Sequence, residues 1–249
     1  WKCNGVVQAK NINVGATCNN WTSTDNISVE ENIVVNDNTV WKANSGDISF
    51  KKNLTASKLE QSTGKIIANG TGNQNIKAKK IKELEIAQTS VSSLLSLSPT
   101  PQTIEKISSL GTLNIPTNAD LTITELNNRT GATFTSASEI KLTKAIVNAG
   151  SLNISTLLPY GNAVKIEGTS NQNATTIDNL FFENASEKIL EIKNNINVSS
   201  HLKLSGVDAT HVLEVKGPGK IYLPSSFSDK GKFLHVHTNI PLEGATCTT

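Results

Sequence analysis

Four lysines crowd one short stretch. Lys77, Lys79, Lys80 and Lys82 are set around Ile76, Ala78 and Ile81. In an extended chain alternate residues face opposite sides, so Ile76 and Ala78 point inward together while Lys77 and Lys79 point outward. A cationic cluster of this kind suits an anionic ligand such as a sulfated glycan, an anionic lipid or DNA. The same lysines would also protect an exposed strand from pairing with another chain. His235 and His237 flank Val236 and share one side of a strand. A metal site there needs a third ligand, for which His211 or His201 on a neighbouring coil is the candidate. The chain has no Gly-x-Ser-x-Gly, no Gly-x-x-x-x-Gly-Lys, no His-Glu-x-x-His and no cysteine pair with zinc spacing. Glu30-Glu31 is the only adjacent acidic pair, whereas polysaccharide cleavage needs carboxylates clustered across a cleft. The sequence therefore assigns no catalytic residue, no metal site and no cofactor. Its ligand-binding candidates are Lys77, Lys79, Lys80 and Lys82.

The three cysteines are Cys3, Cys18 and Cys247. Cys3 and Cys18 are close enough in sequence to be read as a disulfide stapling the first coil, so residues 1–20 form an N-terminal cap in this reading. Cys247 is left over for a partner elsewhere. The chain starts at Trp1 without an initiator Met and reads as a mature or excised fragment. No apolar run approaches the roughly 18 residues of a membrane helix.

The elements that must position these residues show in the composition and in a repeat. Aromatic residues are only 4% of the chain and Met is absent, while β-branched residues, Leu, Asn and Ser abound. Such a chain favours strands over helices and a core of thin, stacked layers. Trp1, Trp21 and Trp41 stand at equal intervals. A second register is Lys10-Asn11-Ile12-Asn13-Val14, Glu31-Asn32-Ile33-Val34-Val35, Lys52-Asn53-Leu54-Thr55-Ala56 and Gln74-Asn75-Ile76-Lys77-Ala78. The period of about 21 residues is the length of one solenoid coil. In each unit two apolar residues face inward, and the preceding Asn sits at a turn. There its side chain can stack along the axis or relax a left-handed backbone. Further apolar-polar-apolar units follow, from Leu84-Glu85-Ile86 to Leu234-His235-Val236. Residues 88–108 are the least regular and read as a loop or short helix leaving the coil. The expected fold is all-β: one right-handed parallel β-helix over 1–249, with coils of about 21 residues.

The units at 10–14, 31–35, 52–56 and 74–78, in an Asn-, Ser- and Thr-rich chain, resemble the β-helical passengers of bacterial autotransporters and two-partner-secretion adhesins. The Asn-Pro-Asn and Gly-Gly-Ala-Ile motifs of such proteins are absent, and Phe181-Phe182-Glu183-Asn184 echoes one chlamydial passenger motif once. The ligand-binding regions of fungal cell-wall adhesins are the rival resemblance, supported by sequons such as Asn20, Asn53, Asn128 and Asn197. Either resemblance implies an extracellular or cell-surface adhesin that contacts a host or cell-surface glycan or protein, or another copy of itself. It implies neither nucleic acid nor direct membrane insertion as a target. A net charge of +2 agrees with the first of these exclusions. A polysaccharide-cleaving β-helix enzyme and a structural fibre subunit are the alternatives.

Overall fold

The computed structural model describes residues 1–87, 92–94, 102–171, 174–183, 188–205, 212–223, 235–238 and 242–243. The chain is an all-β, parallel solenoid of about nine turns with coils of about 20 residues. Each coil follows three parallel ladders, with separate short strands in the first coils and strands such as Gln74–Ile86 and Thr133–Asn148 running through the corners further on. The first ladder begins with Lys2–Cys3, Asn20–Ser23 and Val40–Ala43. The second begins with Val7–Ala9, Ile27–Val29, Ile48–Phe50 and Ile66–Ala68. The third begins with Ile12–Val14 and Ile33–Val35, and continues through residues 54–56 and 76–78. One column of the second ladder, solvent-facing except at the buried Ser108, runs Ser28, Ser49, Ile67, Glu85, Ser108, Asn127, Val147, Glu167 and Lys193 without interruption.

Alternation within the strands decides what is inside. Ile27 and Val29 are buried and Ser28 between them is exposed; Ile33 and Val35 repeat the pattern around Val34. Stacking then turns these pairs into continuous columns, for example Ile27–Ile48–Ile66–Leu84–Ile107–Leu126. Each such side chain, fully buried, contributes roughly 1.5–3 kcal/mol. Phe50 fits because its axial neighbours are smaller than itself. Phe50 lies in register between Val29 and Ala68. Trp41 lies between Trp21 and Leu59, its ring stacked on that of Trp21 at 4.3 Å.

The corners account for the abundance of Asn, Ser and Thr. Buried backbone groups need partners, and a turn cannot supply them from a ladder. Asn32 accepts from the Asn53 amide at 3.0 Å, and Asn53 accepts from the backbone N–H and side chain of Asn75 at 2.9 and 3.2 Å. Asn11 accepts from the Asn32 N–H at 3.0 Å. The predicted axial Asn ladder is therefore present. The predicted left-handed geometry is not: the positive-φ non-Gly residues among those described are Asn118 and Asn194. The axial hydrogen bonds alone give Asn its advantage at these four positions. At another corner the hydroxyls of Ser45 and Thr63 donate to the carbonyls of Thr24 and Asn44 one coil away. Replacing Asn53 with Ala removes one donor and one shared acceptor from the middle of the ladder. We expect a loss of about 1–2 kcal/mol in urea titration, with little change in the circular dichroism of the folded state.

Two expectations are corrected. Cys3 and Cys18 form no disulfide; both are free thiols. Cys3 is in register with Ser23, at the far end of strand Asn20–Ser23 from Cys18. That strand alone spans roughly 10 Å, beyond the reach of a disulfide. Cys18 instead donates to the Asn20 carbonyl at 3.3 Å. The loop or short helix expected over 88–108 is not found where its residues are described: Ser92–Leu94 is a strand in register with Thr112–Ile115. Residues 102–109 form strand Gln102–Ser109, in register with residues 80–86 and with Leu121–Asn128, not a helix. Residues 88–91 and 95–101 lie outside the described residues, as does Cys247.

Candidate functional site

The lysine cluster lies where the third ladder passes into the first. Ile76, Ala78 and Ile81 are buried and the lysines around them point outward, as alternation requires. Their charges are largely answered by carboxylates. Lys77 lies 3.6 Å from Asp37, Lys79 lies 3.1 Å from Glu60, and Lys82 pairs with Glu105. Lys80 stands in register with Glu60 and Thr103. The surface is an alternation of charges and not a cationic patch, which weakens its attraction for an anionic ligand.

This alternation is general along the axis. Glu31 is bracketed by Lys10 at 3.7 Å and Lys52 at 3.4 Å. Lys65 lies 3.6 Å from Glu83 and 2.9 Å from Glu85, and Lys106 approaches Glu83 at 3.2 Å. In register, Lys165, Glu191 and Lys216 alternate across three coils. Parallel in-register stacking would align like charges if every coil carried the same residue, and alternation turns that repulsion into weak attraction. The Glu31 carboxyl is held below its ordinary value by the Asn11 amide hydrogen bond first, with Lys52 and Lys10 adding to it. Lys65 is raised, by its hydrogen bond to Glu85 first and then by the charges of Glu85 and Glu83.

The signs fix the pH dependence. The Glu31 contribution is in place above the ordinary carboxylate pKa, about 4.3, and is lost as pH falls through the lower folded value. The Lys65 contribution is in place below the ordinary lysine value, about 10.4, and is lost as pH rises through the higher folded value. The urea midpoint should be nearly flat from about pH 5 to 9 and decline on both sides. Glu31→Lys places a third cation between Lys10 and Lys52. It should lower the midpoint in dilute buffer, and added salt should restore most of the loss by screening.

The expected histidine pair sits on strand His235–Thr238, whose side chains lie outside the described residues. Among the described residues no three His, Cys, Asp or Glu side chains converge as a metal site would require. A cavity of about 250 Å³ opens at the first coil, lined by Trp1, Asn13, Val14, Thr17, Cys18 and Trp21. Trp1 is 89% exposed there, so it stands beside the buried Trp21–Trp41 stack and does not extend it.

One stretch of the third ladder is uncharged over five coils, as the second ladder is over Val7–Ala9, Ile27–Val29, Ile48–Phe50 and Ile66–Ala68. The third ladder continues through Thr112–Ile115, Thr133–Asn148, Ser151–Pro159, Thr175–Glu183 and Asn195–Ser205. In its paired segments from 112 to 198 (residues 112–115, 133–136, 151–154, 175–177 and 195–198) there is no charged residue, and the stretch ends where the next rows, Lys220–Tyr222 and Leu242–Glu243, bring in Lys220 and Glu243. The inward positions are filled by residues such as Leu113, Phe134, Leu152 and Ile154, all buried. The outward positions form two columns. One is Thr112, Thr133 and Ser151; the other is Asn114, Thr135, Asn153, Thr176 and Asn197. Pairing is unbroken between residues 133–136 and 151–154, so the face stays regular there. Sequence reasoning concentrated on charges and passed over this surface. The signal was a run of apolar-polar-apolar units whose polar member is never Lys, Glu or Asp.

Comparison with known proteins gave no match to any family model, curated protein or solved structure.

Proposed function

We propose that this chain is an adhesin domain displayed at a cell surface or secreted, a right-handed solenoid that attaches to ligands on host or neighbouring cells. The observation that carries the reading is the regular outward grid of the third ladder. A stiff stack of coils holds rows of polar side chains at fixed spacing while its own backbone and charges are satisfied internally. Stacked coils of this kind make extended binding surfaces, because each coil adds the same outward positions at constant spacing. The axial Asn ladder and the resemblance of the 10–14, 31–35, 52–56 and 74–78 units to β-helical passengers support the same reading.

The test is binding of the folded protein to a glycan array and to intact cells from several sources, with folding checked by circular dichroism. Saturable binding to either supports the reading. Absence of binding to both, with protein that retains its β spectrum, removes it.

A further inference from the structure

We infer that the uncharged face of the third ladder is a binding site for an extended, neutral polysaccharide lying along the solenoid axis. The inference names the ligand class of the adhesin reading and rests on it.

The chemistry of the face excludes the commoner partners. Nucleic acid and acidic glycans are drawn by clustered cations, and the paired segments between residues 112 and 198 hold none. A membrane surface calls for an apolar or cationic face, and the outward residues here are Thr, Ser and Asn. Protein partners are held mainly by buried Trp, Tyr and Arg anchors, with Ser and Thr under-represented, and the outward positions from 112 to 198 carry none, the next aromatic in register being Tyr222. What remains is a partner that is itself neutral, rich in hydroxyls and repetitive.

The face is also equipped to hold one. Ser151 and Asn153 are exposed, and Thr133 and Thr135 half-buried. The side chains of these four make no hydrogen bond among the described residues. Their hydroxyls and amides are therefore available to a ligand. By contrast, the Asn column at 11, 32, 53 and 75 satisfies its amides within the ladder. Along the axis the rows recur at about 4.8 Å, and the two columns lie about 6.6 Å apart. One hexose of an extended chain covers close to one row, so successive sugars meet successive pairs of donors and acceptors. A single such contact contributes little against competing water, and repetition along one rigid chain supplies the affinity.

The test uses the full chain and defined soluble probes: galactomannan, dextran and a linear β-glucan as neutral polysaccharides, and heparin as the anionic control. Binding is followed by affinity electrophoresis and titration calorimetry. The expected result is retention by at least one neutral polysaccharide, unaffected by salt, with weak or no retention by heparin. Thr135→Ala combined with Asn153→Ala should weaken that binding at least tenfold at unchanged thermal midpoint. Asn153→Lys gives a second variant with the fold intact, and it should do the same. Lys79→Ala with Lys82→Ala should leave binding as in the parent. Binding by heparin alone, or face variants that bind like the parent, would overturn the inference. Cell attachment without any neutral-polysaccharide binding would also overturn it, while leaving the adhesin reading intact.

Discussion

Gly70→Ala is expected to cost roughly 3 kcal/mol, although it adds a single methyl group. A Cβ built at Gly70 would lie 1.7 Å from the carbonyl oxygen of Lys51 and 2.5 Å from its carbonyl carbon. Both are backbone atoms of the coil below and cannot swing aside. The same corner is tied by the Gly70 N–H donating to the Gln74 side chain at 3.0 Å, and by the Gln74 amide donating to the Phe50 carbonyl at 2.9 Å. Relief of the clash means lifting one coil off the next, which breaks those bonds and opens the core above Phe50. Gly72→Ala is the matched control, because nothing lies within 4 Å of the corresponding position. Urea titration of the two variants should separate them by most of the expected loss. Equal stability would mean that the two coils are not stacked as described.

Trp41→Ala is expected to cost about 3–5 kcal/mol, with the damage confined to the coils near the N terminus. Trp41 has no exposed surface, stacks on Trp21, and donates its indole N–H to the Ser23 hydroxyl at 3.0 Å. Its loss leaves a large cavity between Trp21 and Leu59 and removes the ring contact as well. In a globular domain such damage lowers one cooperative transition. In a solenoid each coil touches only its neighbours, so coils far from the lesion keep their contacts. The tryptophans are Trp1, Trp21 and Trp41, so tryptophan fluorescence, excited at the red edge where Tyr160 and Tyr222 do not absorb, reports the N-terminal coils only, and circular dichroism reports the whole stack. In the variant the fluorescence midpoint should fall well below the dichroism midpoint. Coincident midpoints would show that the stack unfolds as a unit.

Much of the solenoid was legible because stacking makes one coil's pattern predict the next. Ile12, Ile33, Leu54 and Ile76 recur at a nearly constant interval, and all of these partners align in the third ladder. The tryptophan interval was equally informative, since Trp21 and Trp41 are direct partners. The second ladder was harder to see. Asn26 precedes Ile27 as Asn11 precedes Ile12, but Asp47 stands before Ile48 and Lys65 before Ile66, so the Asn that marks the third ladder does not recur.

The site was less legible for a different reason. Whether a lysine is free depends on what lies one coil away, and coil length varies enough to hide the partner. Lys79 meets Glu60, and Lys82 meets Glu105, at separations that no fixed period predicts. Proximity in sequence misled in the same way for Cys3 and Cys18, which belong to different positions of the coil cross-section. The uncharged face becomes visible only when residues 112–115, 133–136 and 151–154 are aligned as neighbours. Read along the chain, they are ordinary polar strands.

The central claim is that the coils stack in register along one axis, carrying one outward face along the rod. Spin labels placed on the outward column of the second ladder measure this directly by electron double resonance. The native cysteines are first replaced by Ser, the residue already aligned with Cys3 in the next coil. From Ser28, five rows lead to Asn127 and eight to Lys193. The predicted separations are about 24 Å and about 38 Å, rising linearly with row number. Distances that fail to grow by a constant step per row would contradict the stack and the face built on it.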